Sequence, residues 1–165
     1  MADSDPIRAA HEQWVRHGWS DAADGMALVT SVVRVQQLFM ERIDAVLRPL
    51  ELTFARYEVL RLLSFSRAGA MPMSRVGALL QVHPTSVSSA VERLVQQGYV
   101  ARVRPEADRR VILASLTDAG SQMVEKATEA LNAEVFERPG LAPDDVARLV
   151  ALLTDLRRGL GEDLP

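Results

Sequence analysis

The sequence predicts a mainly α fold with a small β-wing, a winged helix-turn-helix flanked by N- and C-terminal dimerisation helices. Three observations carry this. Residues 73–96 read as a short helix, a turn and a longer helix opening on Pro84. The longer helix has two unlike faces. Val87, Ala90, Val91, Leu94 and Val95 recur at i, i+3, i+4, i+7 and i+8 as one apolar stripe, while Thr85, Ser86, Ser88 and Ser89 crowd the opposite face near its start. Two β-prone runs follow, one with Tyr99, Val100 and Val103 and one with Val111, Ile112 and Leu113, joined by a tip holding Asp108, Arg109 and Arg110. Short hydroxyl side chains let a helix approach closely what it reads. Such a helix suits a major groove, and an arginine-tipped hairpin suits the neighbouring minor groove or backbone. Helix pairs of this kind also occur in all-α proteins that bind no DNA. The wing favours nucleic acid, because an ordinary surface hairpin carries mixed charges and a glycine turn.

The other elements follow in chain order. Asp5-Pro6 is an N-cap followed by proline at the first helical position, so a short helix is expected to near Gly18 with Ile7, Ala10 and Trp14 on one face. A long helix is predicted over residues 23–47, where Met26, Val29, Val33, Met40 and Leu47 form one stripe and Leu28, Val32, Val35, Phe39 and Val46 a second. A helix apolar on two sides must be covered on two sides, one of them by a partner chain. Pro49 stops it. Thr53 caps the next helix, whose inner face is Phe54, Tyr57, Leu60 and Leu63, and residues 67–72 read as a loop. After the wing, Thr117-Asp118 opens a helix expected to reach Phe136, and Pro139-Gly140 breaks the chain. The last helix begins at Pro143, with Asp144 and Asp145 in its first turn and Arg157 and Arg158 at its end, where the helix dipole favours each sign. Its stripe of Val146, Leu149, Val150, Leu153, Leu156 and Leu160 is too long for a terminal helix to bury on one small domain, which again points to a homodimer. The expected organisation is residues 1–50 for dimerisation and a possible effector pocket, 51–118 for the winged helix-turn-helix and 119–165 for further dimerisation helices.

Composition narrows the function. The net charge of −3 argues against nonspecific nucleic-acid binding by the whole surface. Residues 85–110 nevertheless hold five arginines against three acids, a local +2 that leaves −5 on the remainder. Cysteine is absent, which excludes disulfides, thiolate metal sites and cysteine redox sensing. His11 and His17 are too far apart for an i, i+4 metal pair, and His83 reads as a helix-start residue, so neither metal nor cofactor is expected. No nucleophile–base pair, glycine-rich phosphate loop or paired carboxylates point to an enzyme. Arg34 interrupts the longest apolar run, and the start of the chain lacks the basic and apolar regions of a secretory signal, so no membrane partner and a cytoplasmic location are expected.

From about Leu52 to Gly120 the chain resembles the multiple-antibiotic-resistance regulator (MarR) family of dimeric bacterial transcription factors. The resemblance rests on Leu52-Thr53 opening a helix with Tyr57, Val59 and Leu60, and on Thr85-Ser86-Val87-Ser88 with Arg93-Leu94. Gly98-Tyr99-Val100 with Arg102, the wing signature Asp108-x-Arg110, and Leu116-Thr117-x-x-Gly120 complete it. It implies a repressor of twofold symmetry on a pseudo-palindromic site in double-stranded DNA, with half-site centres roughly 34 Å apart. Thr85, Ser86, Ser88 and Ser89 would face the bases and Arg93 the phosphates, while Arg109 or Arg110 would enter the minor groove. In the family pattern Arg110 is the contacting arginine and Asp108 the acid that holds it, and Asp108 also suits a turn. The peroxide-sensing branch is removed by the lack of cysteine.

The resemblance further implies release from DNA by a small anionic or aromatic effector. The extra N-terminal helix resembles the urate-responsive branch, whose pocket residues correspond to Trp14, Glu58 and Arg102. Trp14 equally suits a terminal-helix anchor, and Glu58 a surface acid paired with Arg61 or Arg102. Phe65 stands where that branch has a further arginine, which argues against urate and leaves another anionic metabolite. The competing reading is a winged-helix module whose partner is a protein.

Overall fold

The computed structural model describes residues 5–80, 83–105 and 110–163. Glu106, Ala107, Asp108 and Arg109, and with them the roles expected of Asp108 and Arg109, lie outside the described residues. The chain forms two compact units, residues 1–54 and 55–165.

In the first unit, α1 (Pro6–Arg16) packs on α2 (Ser20–Leu47). Asp5 caps α1, its Oδ1 accepting the Ile7 N–H at 3.0 Å, with Pro6 in the first turn. Gly18 at φ +85° turns the chain, a conformation that glycine adopts without a Cβ penalty. His11 Nε2 meets Asp24 Oδ1 at 2.8 Å, and the Trp19 ring lies edge-on to Trp14 and stacked on His17. Helix α2 stops at Leu47 and passes into a 3₁₀ turn, Arg48–Leu50. Arg48 keeps right-handed helical geometry at φ −58° and ψ −42°, so Pro49 acts by lacking the N–H that would continue the ladder rather than by excluding helical geometry before it. Leu28, Val29, Val32, Val33, Val35 and Leu38 of α2 are exposed in the single chain.

The second unit holds α3 (Phe54–Phe65), β1 (Ala70–Pro72), α4 (Met73–Leu80), α5 (Pro84–Gln96), β2 (Val100–Val103), β3 (Leu113–Leu116), α6 (Asp118–Leu131) and α7 (Pro143–Gly159). Its core gathers Tyr57, Leu60 and Leu63 of α3, Val76 of α4, Val87, Val91 and Leu94 of α5, and Val124, Ala127 and Leu131 of α6. The three strands are antiparallel in the order β1-β3-β2.

Two sequence expectations need correction. Residues 70–72 are a strand rather than part of a loop: Met71 pairs with Ala114 in β3. Ala-Met-Pro has no β-prone pattern of its own, so this strand exists only because β3 supplies a partner. The second run of the wing also begins later than expected. Val111 and Ile112 precede β3, and the Ile112 carbonyl accepts the Met73 N–H at 3.1 Å instead of pairing across the wing. Fully buried Ala114, opposite Met71 on one side and Arg102 on the other, sets the register.

Helix α6 stays α-helical to Leu131 and then widens into a π turn, Asn132–Phe136. The wider turn leaves Val135 buried and Phe136 exposed. Helix α7 has no buried residue, and Leu149, Val150, Leu152, Leu153 and Leu160 are all exposed. Among the described residues, no helix is long and apolar enough to cross a membrane.

Candidate nucleic-acid interface

Helix α5 begins with a local device. Pro84 occupies its first turn and His83 is its N-cap, with Nδ1 accepting the Thr85 N–H at 3.3 Å. That contact gives one of the unsatisfied amides of the first turn a partner. Val87, Val91 and Leu94 are buried, which fixes the helix's rotation about its own axis. The same rotation leaves Thr85, Ser86, Ser88 and Ser89 exposed. Arg93 is exposed on the next turn and donates to Gln96 Oε1 at 3.1 Å.

Beside this face runs an open cleft of about 740 Å³ in which Ser88 of α5, Ser74 of α4, Arg102 of β2 and Arg110 are brought together. Among the described residues that line it, none is acidic. Two guanidinium groups flanked by hydroxyls form a surface suited to an anion. Ser74 is a member that sequence reasoning missed. Its only signal was a small hydroxyl at the start of the first helix of the pair.

The residues that the resemblance linked to an effector are distributed differently. Arg102 lies in this cleft with Ser88 and Arg110, whereas Glu58 does not line it. Trp14 belongs to the first unit, half-buried on α1 and in edge contact with Trp19. Arg61, a suggested partner of Glu58, instead pairs with Glu125 at 2.9 Å. Arg56 donates to Gln97 Oε1 at 3.0 Å at the end of α5.

Burial pushes the Glu58 carboxyl above the usual carboxylate range. With the folded pKa above the unfolded one, the native state keeps its proton longer, so stability falls as pH rises through that interval. Glu58→Gln should therefore melt higher than wild type at pH 7. The gain should vanish as the pH drops below the ordinary carboxylate range, where both side chains are neutral. Melting curves from pH 3 to 8 check this, and an equal or lower melting point at pH 7 would show that the ionised carboxylate has a compensating partner.

The wing junction has a tight spot. Thr117 caps α6, its Oγ1 accepting the Gly120 N–H at 3.0 Å and donating to the Gly98 carbonyl at 2.8 Å. A Cβ on Gly120 would stand 2.1 Å from the Tyr99 carbonyl oxygen. The spacing Leu116-Thr117-x-x-Gly120 thus records a close crossing of α6 over the chain between α5 and β2.

Comparison with known proteins bears on this arrangement. The model of the MarR family matches residues 50–111, which span α3, the helix pair and the first strand of the wing. The structure superposes on Sco5413, a MarR family transcriptional regulator from Streptomyces coelicolor, with a TM-score of 0.75 and 43% identity over 84% of this chain and 96% of that one. Sco3205 of the same organism, solved in complex with DNA, shares the fold at a TM-score of 0.74 and 24% identity, covering 86% of this chain and 90% of that one. The transcriptional regulator YhbI of Bacillus subtilis is 26% identical over 124 residues, 73% of this chain and 79% of its own length. These relatives are transcriptional regulators rather than enzymes. At 43% identity and with 96% of Sco5413 covered, the likeness is not confined to residues 50–111, and on that basis the chain belongs to the MarR family of transcriptional regulators.

Proposed function

We propose that the protein is a homodimeric, sequence-specific repressor that binds a pseudo-palindromic operator in double-stranded DNA and is released by a small anionic or aromatic ligand. The observation that carries the reading is the α5 surface. Four exposed hydroxyl side chains stand beside a cleft that brings Arg102 and Arg110 together. Thr85, Ser86, Ser88 and Ser89 read base edges, and Arg93 and Arg110 hold phosphate or minor groove. Arg109 contacts the minor groove beside Arg110, and Asp108 supports that arginine, as the family resemblance implies. The Sco3205 complex supports the reading at the level of the fold, since that protein carries the same fold on DNA.

Residues 51–118 form the reading head in this proposal, and residues 1–50 and 119–165 join the two copies. The exposed apolar residues of α2 and α7 support the dimer, because such surface on a monomer calls for a partner. A twofold dimer sets two α5 helices against successive major grooves. The effector proposal rests on the resemblance that named Trp14, Glu58 and Arg102, and the position of Arg102 beside Ser88 and Arg110 supports an anionic ligand.

Selection of bound duplexes from the source genome tests the proposal. The expected product is a site with twofold symmetry whose affinity falls with salt. Val150→Asp together with Leu152→Asp should give monomers by light scattering and abolish binding to that site. Recovery of asymmetric sites, or a dimer untouched by both substitutions, would overturn the dimeric reading. Salt-insensitive behaviour toward all duplexes would favour a protein partner instead.

A further inference from the structure

Arg61 of α3 is the centre of a polar knot that has no part in the cleft. Its side chain is only 16% exposed. Nε donates to Thr128 Oγ1 at 3.1 Å, Nη1 to Glu125 Oε1 at 2.9 Å and to Ser64 Oγ at 3.2 Å, and Nη2 to Glu125 Oε2 at 3.4 Å and to Thr128 Oγ1. The guanidinium's donors are thus all used. Thr128 Oγ1 donates to the Val124 carbonyl at 2.7 Å, and the Tyr57 hydroxyl lies 3.1 Å from the same oxygen. The Phe65 ring, itself 76% exposed, covers the guanidinium with its centroid 5.1 Å from Arg61 Cζ. Burial works against the charge, but hydrogen bonds and attraction from Glu125 and Tyr57 outweigh it, and the arginine is held in its protonated form.

The knot pins α6 to α3. A second pin lies at the start of α6, where Thr117 bonds the Gly98 carbonyl and its N–H donates to the Tyr99 carbonyl at 3.1 Å, just past the end of α5. Gly120 and Thr128 are separated by two helical turns and more, roughly 12 Å along the axis at the helical rise. One pin fixes where α6 meets the reading head. Two pins at that separation also fix its direction.

We propose that Arg61 is a positioning residue for operator recognition. By locking α6 to α3, it holds α5 at one angle to the C-terminal dimerisation helix α6 and so sets the distance between the two α5 helices of the dimer. The proposal rests on the DNA-binding reading above. Phe65, where the urate-responsive pattern has an arginine, serves here as the cover of the knot.

Operator libraries in which the half-site spacing varies in single base-pair steps test it, with Arg61→Gln and Thr128→Val beside the wild type. The wild type should select one spacing. Arg61→Gln should accept neighbouring spacings and lose about tenfold in affinity at the preferred one, the scale of coupling carried through packed elements. The salt dependence of its binding should be unchanged, because no phosphate contact is removed. Thr128→Val keeps the shape and removes the shared acceptor, so it should broaden the spacing to a lesser degree and serves if Arg61→Gln fails to fold. Retention of a single spacing by both variants, even with a lower melting point, would reduce Arg61 to a stabilising residue and overturn the proposal. A salt slope lower by about one would overturn it differently, by placing Arg61 on a phosphate. Failure of the wild type to hold any duplex would instead remove the DNA-binding reading, and this proposal with it.

Discussion

Gly120→Ala should destabilise the protein by about 3 kcal/mol, the upper end of the range for overpacking a filled site. The added methyl would lie 2.1 Å from the Tyr99 carbonyl oxygen and 2.9 Å from Leu116 Cδ1. The leucine can change rotamer, but the carbonyl cannot easily withdraw. It accepts the Thr117 N–H at 3.1 Å, and the Tyr99 N–H is in turn tied to the Leu94 carbonyl at 3.0 Å, at the end of the buried stripe of α5. Relief therefore requires α6 to lift from the junction, which also strains the Thr117 cap on Gly98. For a chain of this size the loss corresponds to a fall in melting temperature of roughly 6–12 °C. Thermal and urea unfolding measure it, and an unchanged midpoint would mean that α6 does not cross the chain this closely. The control is Gly25→Ala in α2, where a Cβ meets nothing within 4 Å and helix propensity favours alanine.

Arg110→Ala should weaken operator binding at least about tenfold at fixed salt, in line with the loss of a direct DNA contact of about 1–3 kcal/mol. Helix content and dimerisation should be unchanged, because Arg110 is exposed on the wing and far in sequence from α2 and α7. Ser88 and Arg102 line the same cleft, so the substitution removes one of the two guanidinium groups described there. The salt dependence separates two modes of contact. A phosphate contact lowers the slope by about one, whereas a base contact in the minor groove lowers affinity mainly on the cognate site. Equal affinity of variant and wild type would take the wing out of the mechanism.

Much of the reading head was legible because its signals are local. The stripe through Val87, Val91 and Leu94 has a helical period, and burying it turns Thr85, Ser86, Ser88 and Ser89 outward without reference to any other element. Pro84 and His83 mark the start of α5 by backbone chemistry alone. Pro6, Pro49 and Pro143 bound helices for the same reason. The excess of exposed apolar residues on α2 and α7 was likewise visible as stripes wider or longer than one small domain can cover.

Other features had no local signal. Strand β1 is three residues without β propensity and forms because β3 offers it a ladder. The start of β3 moved past Val111 and Ile112 because its register answers to two neighbours at once, and β-branched side chains alone do not choose among registers. Arg61 could have paired with several acids by sequence. Its partner is Glu125, 64 residues away, because α3 and α6 bring their polar edges together. Arg102 carried no mark of which groups it would join, and the turn into β2 set it beside Ser88 and Arg110. By itself, then, the sequence determined the helices, their inner faces and the hydroxyl surface of α5, since periodicity and proline act within a few residues. Tertiary structure decided the third strand, the arginine cleft and the α3–α6 knot, since each depends on side chains that meet only after distant segments have packed.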